Sequence, residues 1–319
     1  MKVLFPNCAF DDQVLGKLKK AGIEIVSGKP EGYTEDELTK VLHDYDCYVC
    51  SEKGPYTSRK IIENNQHLKL ISFFGTGYQQ YIDVKAAKDN NIPVSYAPSA
   101  NAKAVAEYTV ALILDAAKKI TYSSNQVRNG LWEKYQTIDL EGKTLGIVGM
   151  GKIGTTVARI LCDGFGMKLI YNSIEPVPEI DSKYNTQMVS LDEVFQKSDI
   201  ISLNATCTEE NQGMVSIEQL SKAKPGAIFV NTARQQLAKK ENLYQAITNG
   251  NLGFVAMDGF YNEPIKPNDE FLTLPEDKFI ITPHNAYNSA NAIQRLELML
   301  IESLADVLCK RPIRHLVEQ

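Results

Sequence analysis

The sequence predicts an α/β protein of two domains, each built on a parallel sheet, and three observations carry that reading. The chain has 319 residues, about two domains' worth at roughly 150 residues each. Short apolar runs alternate with stretches of helical period in two separate series, one ahead of Pro93 and one from Lys143 onward. Strands alternating with helices imply parallel sheets with both faces covered. A proline-bounded break and a long apolar helical stretch separate the two series.

Val3-Leu4-Phe5 is the opening strand, and Val14, Leu15 and Leu18 have helical spacing ahead of Gly22. A second strand is expected over 23–26, a helix marked by Leu38, Val41 and Leu42, and further strands over 46–50 and 68–74, the last running into Gly75-Thr76-Gly77. Residues 93–98 interrupt the pattern with Pro93 and Pro98. The helix expected over 102–119 is apolar on the face of Val105, Tyr108, Leu112 and Ala116 and again at Val110 and Ile113. Such a helix is buried, and the expectation is that it packs between domains and against a second subunit. Strands of the second series are expected over 144–148, 169–171, 200–203, 227–231, 254–257 and 279–281, several of them continuous apolar runs, as strands buried on both faces are. A last helix carries Ile293, Leu296, Leu300, Leu304 and Val307 in register.

Composition narrows the function classes. Lys plus Arg number 34 against 39 Asp plus Glu, a net charge of −5, which argues against a nucleic-acid partner and against an anionic membrane surface. No apolar run approaches the roughly 18 residues of a membrane span. The Val3-Leu4-Phe5 run before Pro6 is too short for a signal-peptide core. Six cysteines scattered through a chain of this size fit reduced thiols, so a cytoplasmic location is expected.

Gly149-Met150-Gly151-Lys152-Ile153-Gly154 is a GxGxxG run entered directly from Leu145-Gly146-Ile147-Val148 and followed by Val157, Ile160 and Leu161 at helical spacing. Strand, glycine turn and helix form the context that makes the motif a dinucleotide cradle. Gly149 serves the tight turn, Gly151 the close approach of backbone to a pyrophosphate, and Gly154 the packing of helix on strand. The helix N-terminus offers N–H donors and partial positive charge. An acid some 20 residues on would bind the ribose 2′-hydroxyl. Ser173 holds that place, Glu175 is the nearest acid, and no Arg follows for a 2′-phosphate. NAD and NADP both remain open.

Polar groups then fall just after strands of the same series: Arg234 after 228–233, Asp258 and Glu263 after 253–257, and His284 after Ile280-Ile281-Thr282-Pro283. In an open parallel sheet, residues beyond the carboxyl ends of strands share a crevice with the cofactor. An Arg holds a carboxylate bidentately, a His exchanges a proton near neutral pH, and a carboxylate beside it fixes its tautomer and raises its pKa. With a nicotinamide these parts suit reduction of a 2-oxo acid.

The chain resembles the D-isomer-specific 2-hydroxyacid dehydrogenases. The matching stretches are Gly75-Thr76-Gly77, Asn101 through Glu107, Gly130-Leu131-Trp132, Leu140 through Gly146, the glycine loop, Asn231-Thr232-Ala233-Arg234, Asp258 through Pro264, and Thr282-Pro283-His284, in family order over most of the chain. The resemblance implies a flavodoxin-like substrate domain from residues 1–99 and 289–319, with a Rossmann-like NAD(P)-binding domain, 100–288, inserted in it, a cleft between them, and a homodimer. It implies that Arg234 binds substrate carboxylate and carbonyl, that His284 is the proton donor in reduction and acceptor in oxidation, and that Glu263 is its partner. It places Asp258 on the nicotinamide carboxamide, Lys152 and Ile153 on the pyrophosphate, and Thr206, Thr232 and Ala233 on the cofactor side. The backbone of Thr76, Gly77 and Tyr78 would bind the substrate carboxylate. The implied partner is a small 2-oxo or 2-hydroxy acid, with no metal.

Some residues depart from the family pattern. Gln235 stands where Gly usually follows the arginine, with Gln236 next; Thr206 stands for the usual Pro and Ser173 for the usual Asp. Two rival readings share the scaffold: a nucleotide-sensing, partner-binding protein of corepressor type, disfavoured by intact Arg234, Glu263 and His284, and a dehydrogenase of formate or phosphite. Formate enzymes place a Gln shortly before the His, where this chain has Thr282-Pro283. His43, His67 and His315 read as structural or solvated, Cys47 and Cys50 as strand residues rather than a metal or redox pair, and Phe73 and Phe74 as core; Tyr56 and Tyr78 are candidates for a substrate pocket.

Overall fold

A computed structural model describes residues 1–6, 10–29, 31–52 and 54–317. The chain divides into two compact units, one of Met1–Asn101 with Ser289–Gln319 and one of Ala102–Asn288. The first unit carries β1 (Lys2–Phe5), β2 (Glu24–Ser27), β3 (Cys47–Cys50), β4 (Leu70–Phe73) and β5 (Val94–Ser95). They form a parallel sheet of order β2-β1-β3-β4-β5. The residue 93–98 stretch, expected to break the pattern, contains the two-residue β5. It ends the sheet, and its outer side is closed by residues 315–317, the Tyr96 amide donating to the His315 carbonyl at 3.1 Å and the Val317 amide to the Val94 carbonyl at 2.9 Å.

Alternation on β3 sends neighbouring side chains to opposite faces. Cys47 and Val49 pack with Val3, Phe5 and Leu70, whereas Tyr48 and Cys50 pack with Leu4 and Ile71. Cys47 and Cys50 therefore face away from each other, and burial pushes both thiols up to about 12, which leaves them protonated and unreactive. Cys8 lies outside the described residues.

The second unit carries β6 (Thr144–Val148), β7 (Lys168–Asn172), β8 (Ile200–Leu203), β9 (Ile228–Asn231), β10 (Phe254–Asp258) and β11 (Phe279–Thr282). All pair in parallel in the order β11-β10-β9-β8-β6-β7. The helix Ala102–Lys118 lies against the helix Lys152–Phe165 and against β9 and β10. Its Ala106, Val110, Ile113 and Ala117 join Leu145, Ile147, Val157 and Leu161 in one core. Cover that the sequence pattern assigned to a neighbouring domain and subunit is thus supplied for these residues inside their own unit. A further helix, Ile120–Arg128, had no signal in the sequence because none of its residues is buried. It starts where the Asp115 carboxylate accepts from the Thr121 amide and hydroxyl, both at 2.7 Å. Among the described residues, no helix is long and apolar enough to cross a membrane.

Candidate active site

β6 lies between β7 and β8; the connection leaving β6 runs to β7 and that leaving β8 runs the other way to β9, so they diverge and open a crevice beyond the carboxyl ends of β6 and β8, the place where doubly wound sheets bind ligands. The glycine turn fills that place, and its three glycines do three separate jobs. Gly149 has φ +96°, and a Cβ there would lie 2.5 Å from the Ala205 amide nitrogen after β8. A Cβ on Gly154 would sit 2.3 Å from the Gly149 carbonyl oxygen, so only glycine lets the helix close on the turn. A Cβ on Gly151 meets nothing within 4 Å. The third position is open space at the N-cap of the helix Lys152–Phe165, with no side chain capping it, and helix-start N–H groups have no intrahelical partner. Across the turn, the Asn204 Nδ2 is buried without a protein partner. An open cradle lined by donors fits the pyrophosphate of a dinucleotide.

Lys152 is exposed, and Ile153 is half-buried against the core. Ser173 follows β7 directly, and the Gly149 amide donates to the neighbouring Asn172 carbonyl at 2.8 Å. Glu175 is exposed two residues on. Thr206 is exposed, its carbonyl accepting from Asn211 Nδ2 at 2.7 Å.

The segment after β9 is shaped by Asn231. Its Oδ1 accepts from the Ala233 amide at 3.0 Å and its Nδ2 donates to the Arg234 carbonyl at 3.1 Å. Thr232 is buried with its hydroxyl 2.7 Å from that of Thr109, which ties the segment to the 102–118 helix. Arg234 donates from Nη1 to the Ala233 carbonyl at 2.8 Å.

Glu263 and His284 meet. His284 Nδ1 lies 3.2 Å from each Glu263 carboxylate oxygen, and the Phe260 amide donates to Oε1 at 2.8 Å. Burial pushes the Glu263 carboxyl up, but the His284 hydrogen bond, the Phe260 amide and the charges of His284 and Arg234 outweigh it and hold the group below its ordinary 4.5. Glu263 is therefore ionised at neutral pH. His284 has φ +53°, a conformation that costs a non-glycine residue free energy and is held by its surroundings.

What holds it is Asp258. This carboxylate, 2% exposed, accepts from the Thr282 hydroxyl at 2.6 Å, the Asn285 amide at 2.8 Å and the Ala286 amide at 2.8 Å. Asp258 thus clamps both sides of the His284 turn, a job the sequence pattern did not foretell. Asn231, Thr282 and Gln235 were likewise missed as shaping residues. For Asn231 and Thr282 the signal was present: each is a polar side chain ending an otherwise apolar strand.

In the first unit, Thr76 Oγ1 lies 3.1 Å from the Ala97 carbonyl and 3.0 Å from Asn101 Oδ1, and the Tyr78 ring packs on Tyr96 at 5.0 Å. Phe73 is buried in the core and Phe74 packs beside Phe5.

A glycine turn open at a helix N-terminus and a carboxylate–imidazole pair beyond the carboxyl ends of β10 and β11, all on one parallel sheet, are the parts of a nicotinamide-dependent oxidoreductase. The family model for the NAD-binding domain of D-isomer-specific 2-hydroxyacid dehydrogenases matches residues 110–286. A hydroxypyruvate reductase of Thermotoga maritima is 35% identical over 292 residues, covering 90% of this chain and 92% of that protein. Among solved structures, an acyclic imino acid reductase in complex with NADPH and D-Arg is 27% identical with a TM-score of 0.87 over the whole of both chains. An NAD-dependent formate dehydrogenase from Staphylococcus aureus in complex with NAD is 27% identical with a TM-score of 0.86, covering 100% of this chain and 99% of that one. The chain belongs to the D-isomer-specific 2-hydroxyacid dehydrogenases. It is an NAD- or NADP-dependent enzyme interconverting a 2-oxo acid and the D-2-hydroxy acid.

Proposed function

We propose that Arg234, Glu263 and His284 are the catalytic residues and that the observation carrying this is the pairing of His284 Nδ1 with an ionised Glu263 beyond the carboxyl ends of β10 and β11, on the sheet whose β6 carries the glycine cradle. The Arg234 guanidinium binds the substrate carboxylate and polarises the carbonyl. Nδ1 faces Glu263, so the proton exchanged with the substrate oxygen is carried on His284 Nε2, given in reduction and taken back in oxidation. Glu263 keeps the ring in that tautomer and stabilises its cationic form. Gly149, Gly151, Lys152, Ile153 and Gly154 hold the pyrophosphate, Ser173 the ribose, and Thr206, Thr232, Ala233 and Asp258 line the remaining cofactor contacts. When bound, the nicotinamide supplies or accepts the hydride. The unit Ala102–Asn288 is the NAD(P)-binding domain in this reading and the other unit the substrate domain, where Thr76, Gly77 and Tyr78 bind substrate carboxylate. Following reduced nicotinamide by absorbance with a panel of 2-oxo acids and both cofactors tests the assignment; turnover of formate with none of 2-oxo acids overturns it.

Cofactor choice rests on Ser173, which neither repels a 2′-phosphate nor makes the paired bonds of a carboxylate to the ribose. Weak discrimination is expected, and Ser173→Asp shifts it toward NAD, because the new charge accepts ribose hydroxyls and repels phosphate. A native preference above about a thousandfold, about 4 kcal/mol, means that other residues read the ribose.

A homodimer is supported by an apolar strip along the segment that follows the 102–118 helix: Ile120, Val127, Leu131, Ile138 and Trp132, the last 87% exposed. Exposed apolar surface of this kind marks a protein interface, and a second copy is the occupant the resemblance implies. Sedimentation at about micromolar concentration is expected to give a dimer, and Trp132→Glu to weaken it; a stable native monomer overturns the proposal. The cytoplasm is the location that six cysteines scattered through a chain of this size support.

A further inference from the structure

Gln235 takes the position after Arg234 that glycine usually holds in this family, and it is not a surface replacement. Its side chain is buried at 2% exposure, and Nε2 donates to the Asp258 carbonyl at 2.8 Å. We propose that Gln235 is a positioning residue that ties the Arg234 segment to the 258–263 loop and so keeps the Glu263 carboxylate seated on His284.

The geometry meets at Gly259. A Cβ placed there would lie 2.5 Å from Glu263 Oε1, 3.1 Å from Gln235 Nε2 and 3.3 Å from His284 Nδ1, so the three polar groups converge on one small volume. Gly259 has φ +92°, a backbone state with little intrinsic preference to hold it. The carbonyl that Gln235 grips belongs to the peptide entering that glycine. Gly259 is gripped from the other side too, its amide donating to the Thr282 carbonyl at 2.8 Å. A second tie joins the same two segments, Tyr261 Oη donating to the Ala238 carbonyl at 2.6 Å. Arg234 and the Glu263–His284 pair are thereby carried on one braced frame, and substrate carboxylate and proton donor keep a fixed spacing. A frame that drifts by about 1 Å is costly to catalysis.

Charged and titratable groups near His284 include Glu263, Asp258, which accepts from the Asn285 amide just after it, Tyr287, whose ring lies 6.1 Å from the imidazole, and Arg234, whose charge acts on Glu263. Gln235 is uncharged. Its effect on His284 therefore runs through the seat of Glu263, and loosening that seat weakens the stabilisation of the imidazolium.

The proposal rests on the reading of His284 as proton carrier, so its test begins with protein free of cofactor. The His284 ring is followed against pH by NMR in the parent, Gln235→Met, Glu263→Gln and the double variant. Gln235→Met keeps the side-chain length and removes the donor. It is expected to lower the His284 midpoint by about half a pH unit, and the shift is expected to vanish in the Glu263→Gln background. In the assayed enzyme, kcat falls roughly tenfold with a smaller change in KM. An unmoved midpoint in folded Gln235→Met, or a shift that persists without Glu263, overturns the proposal. If Gln235→Met does not fold, Gln235→Gly is read by the same criteria. Failure of the catalytic reading shows itself separately, as His284→Ala protein that still turns over 2-oxo acids.

Discussion

Replacing His284 with alanine is expected to lower turnover of 2-oxo acids on the order of a hundredfold or more while cofactor affinity stays near the parent value. Reduction adds a proton to the carbonyl oxygen, and the site has few groups able to give one. Arg234 does not, since a guanidinium keeps its protons beyond about pH 12. Glu263 does not, because its carboxyl is held below the ordinary 4.5 and is ionised at neutral pH. His284, 3.2 Å from that carboxylate, is of the residue type suited to exchanging a proton near neutral pH. Its removal leaves the glycine cradle untouched, which is why binding of cofactor survives. The pH dependence has opposite signs in the two directions. Reduction needs the imidazolium and falls as pH rises through its midpoint; oxidation needs the neutral ring and rises over the same range. Glu263→Gln takes away the anion that stabilises the imidazolium, so both profiles move to lower pH. Parent-rate turnover by His284→Ala defeats the acid–base assignment. Profiles that stay in place in Glu263→Gln show that the pair has no influence on the reacting proton.

Much of this fold and site is legible in the sequence because strands buried on both faces write themselves as apolar runs, and the residues just after such a run sit at the carboxyl edge of the sheet. That logic alone puts Arg234, Glu263 and His284 beyond strand ends, without knowing which strands are neighbours, and makes them the residues proposed for catalysis. The partners that hold them are less visible, and the reason is pairing between distant segments. Asp258 ends β10 with a carboxylate, which a sequence reader assigns to the cofactor; its bonds to Thr282, Asn285 and Ala286 exist because β10 lies beside β11, a neighbourhood that no local pattern encodes. Gln235 reads as a polar turn residue until its side chain is seen to be buried against the Asp258 carbonyl. The Ile120–Arg128 helix escapes notice for the opposite reason: none of its residues is buried, and it lacks the dense apolar run that marks the 102–118 helix. Two-residue β5 is too short to show a pattern at all.

The glycine turn separates ligand binding from folding in one chain, and Gly151→Val exploits that separation. Gly151 has φ −79° and ψ −163°, an extended conformation that valine adopts without strain. Nothing lies within 4 Å of its Cβ position, so the fold is expected to accept the branched side chain with a loss of stability limited to about 1 kcal/mol from valine's poor fit to a helix N-cap. The pyrophosphate is expected not to, because in the proposed cradle that open space is where its oxygens reach the helix N-terminus. Charge-assisted hydrogen bonds are worth about 1.5–3 kcal/mol each, so losing two costs about 3–6 kcal/mol, a hundredfold or more in Kd. Gly154→Val is the control that behaves in the opposite way. Its Cβ would press to 2.3 Å from the Gly149 carbonyl oxygen, a backbone contact with no flexible end to yield, so this variant is expected to lose stability first and cofactor only as a consequence. Titration of each variant with NADH and NADPH by fluorescence, beside its melting curve, reads the two effects apart. If Gly151→Val binds both cofactors as the parent does, the cradle is not where the dinucleotide lies.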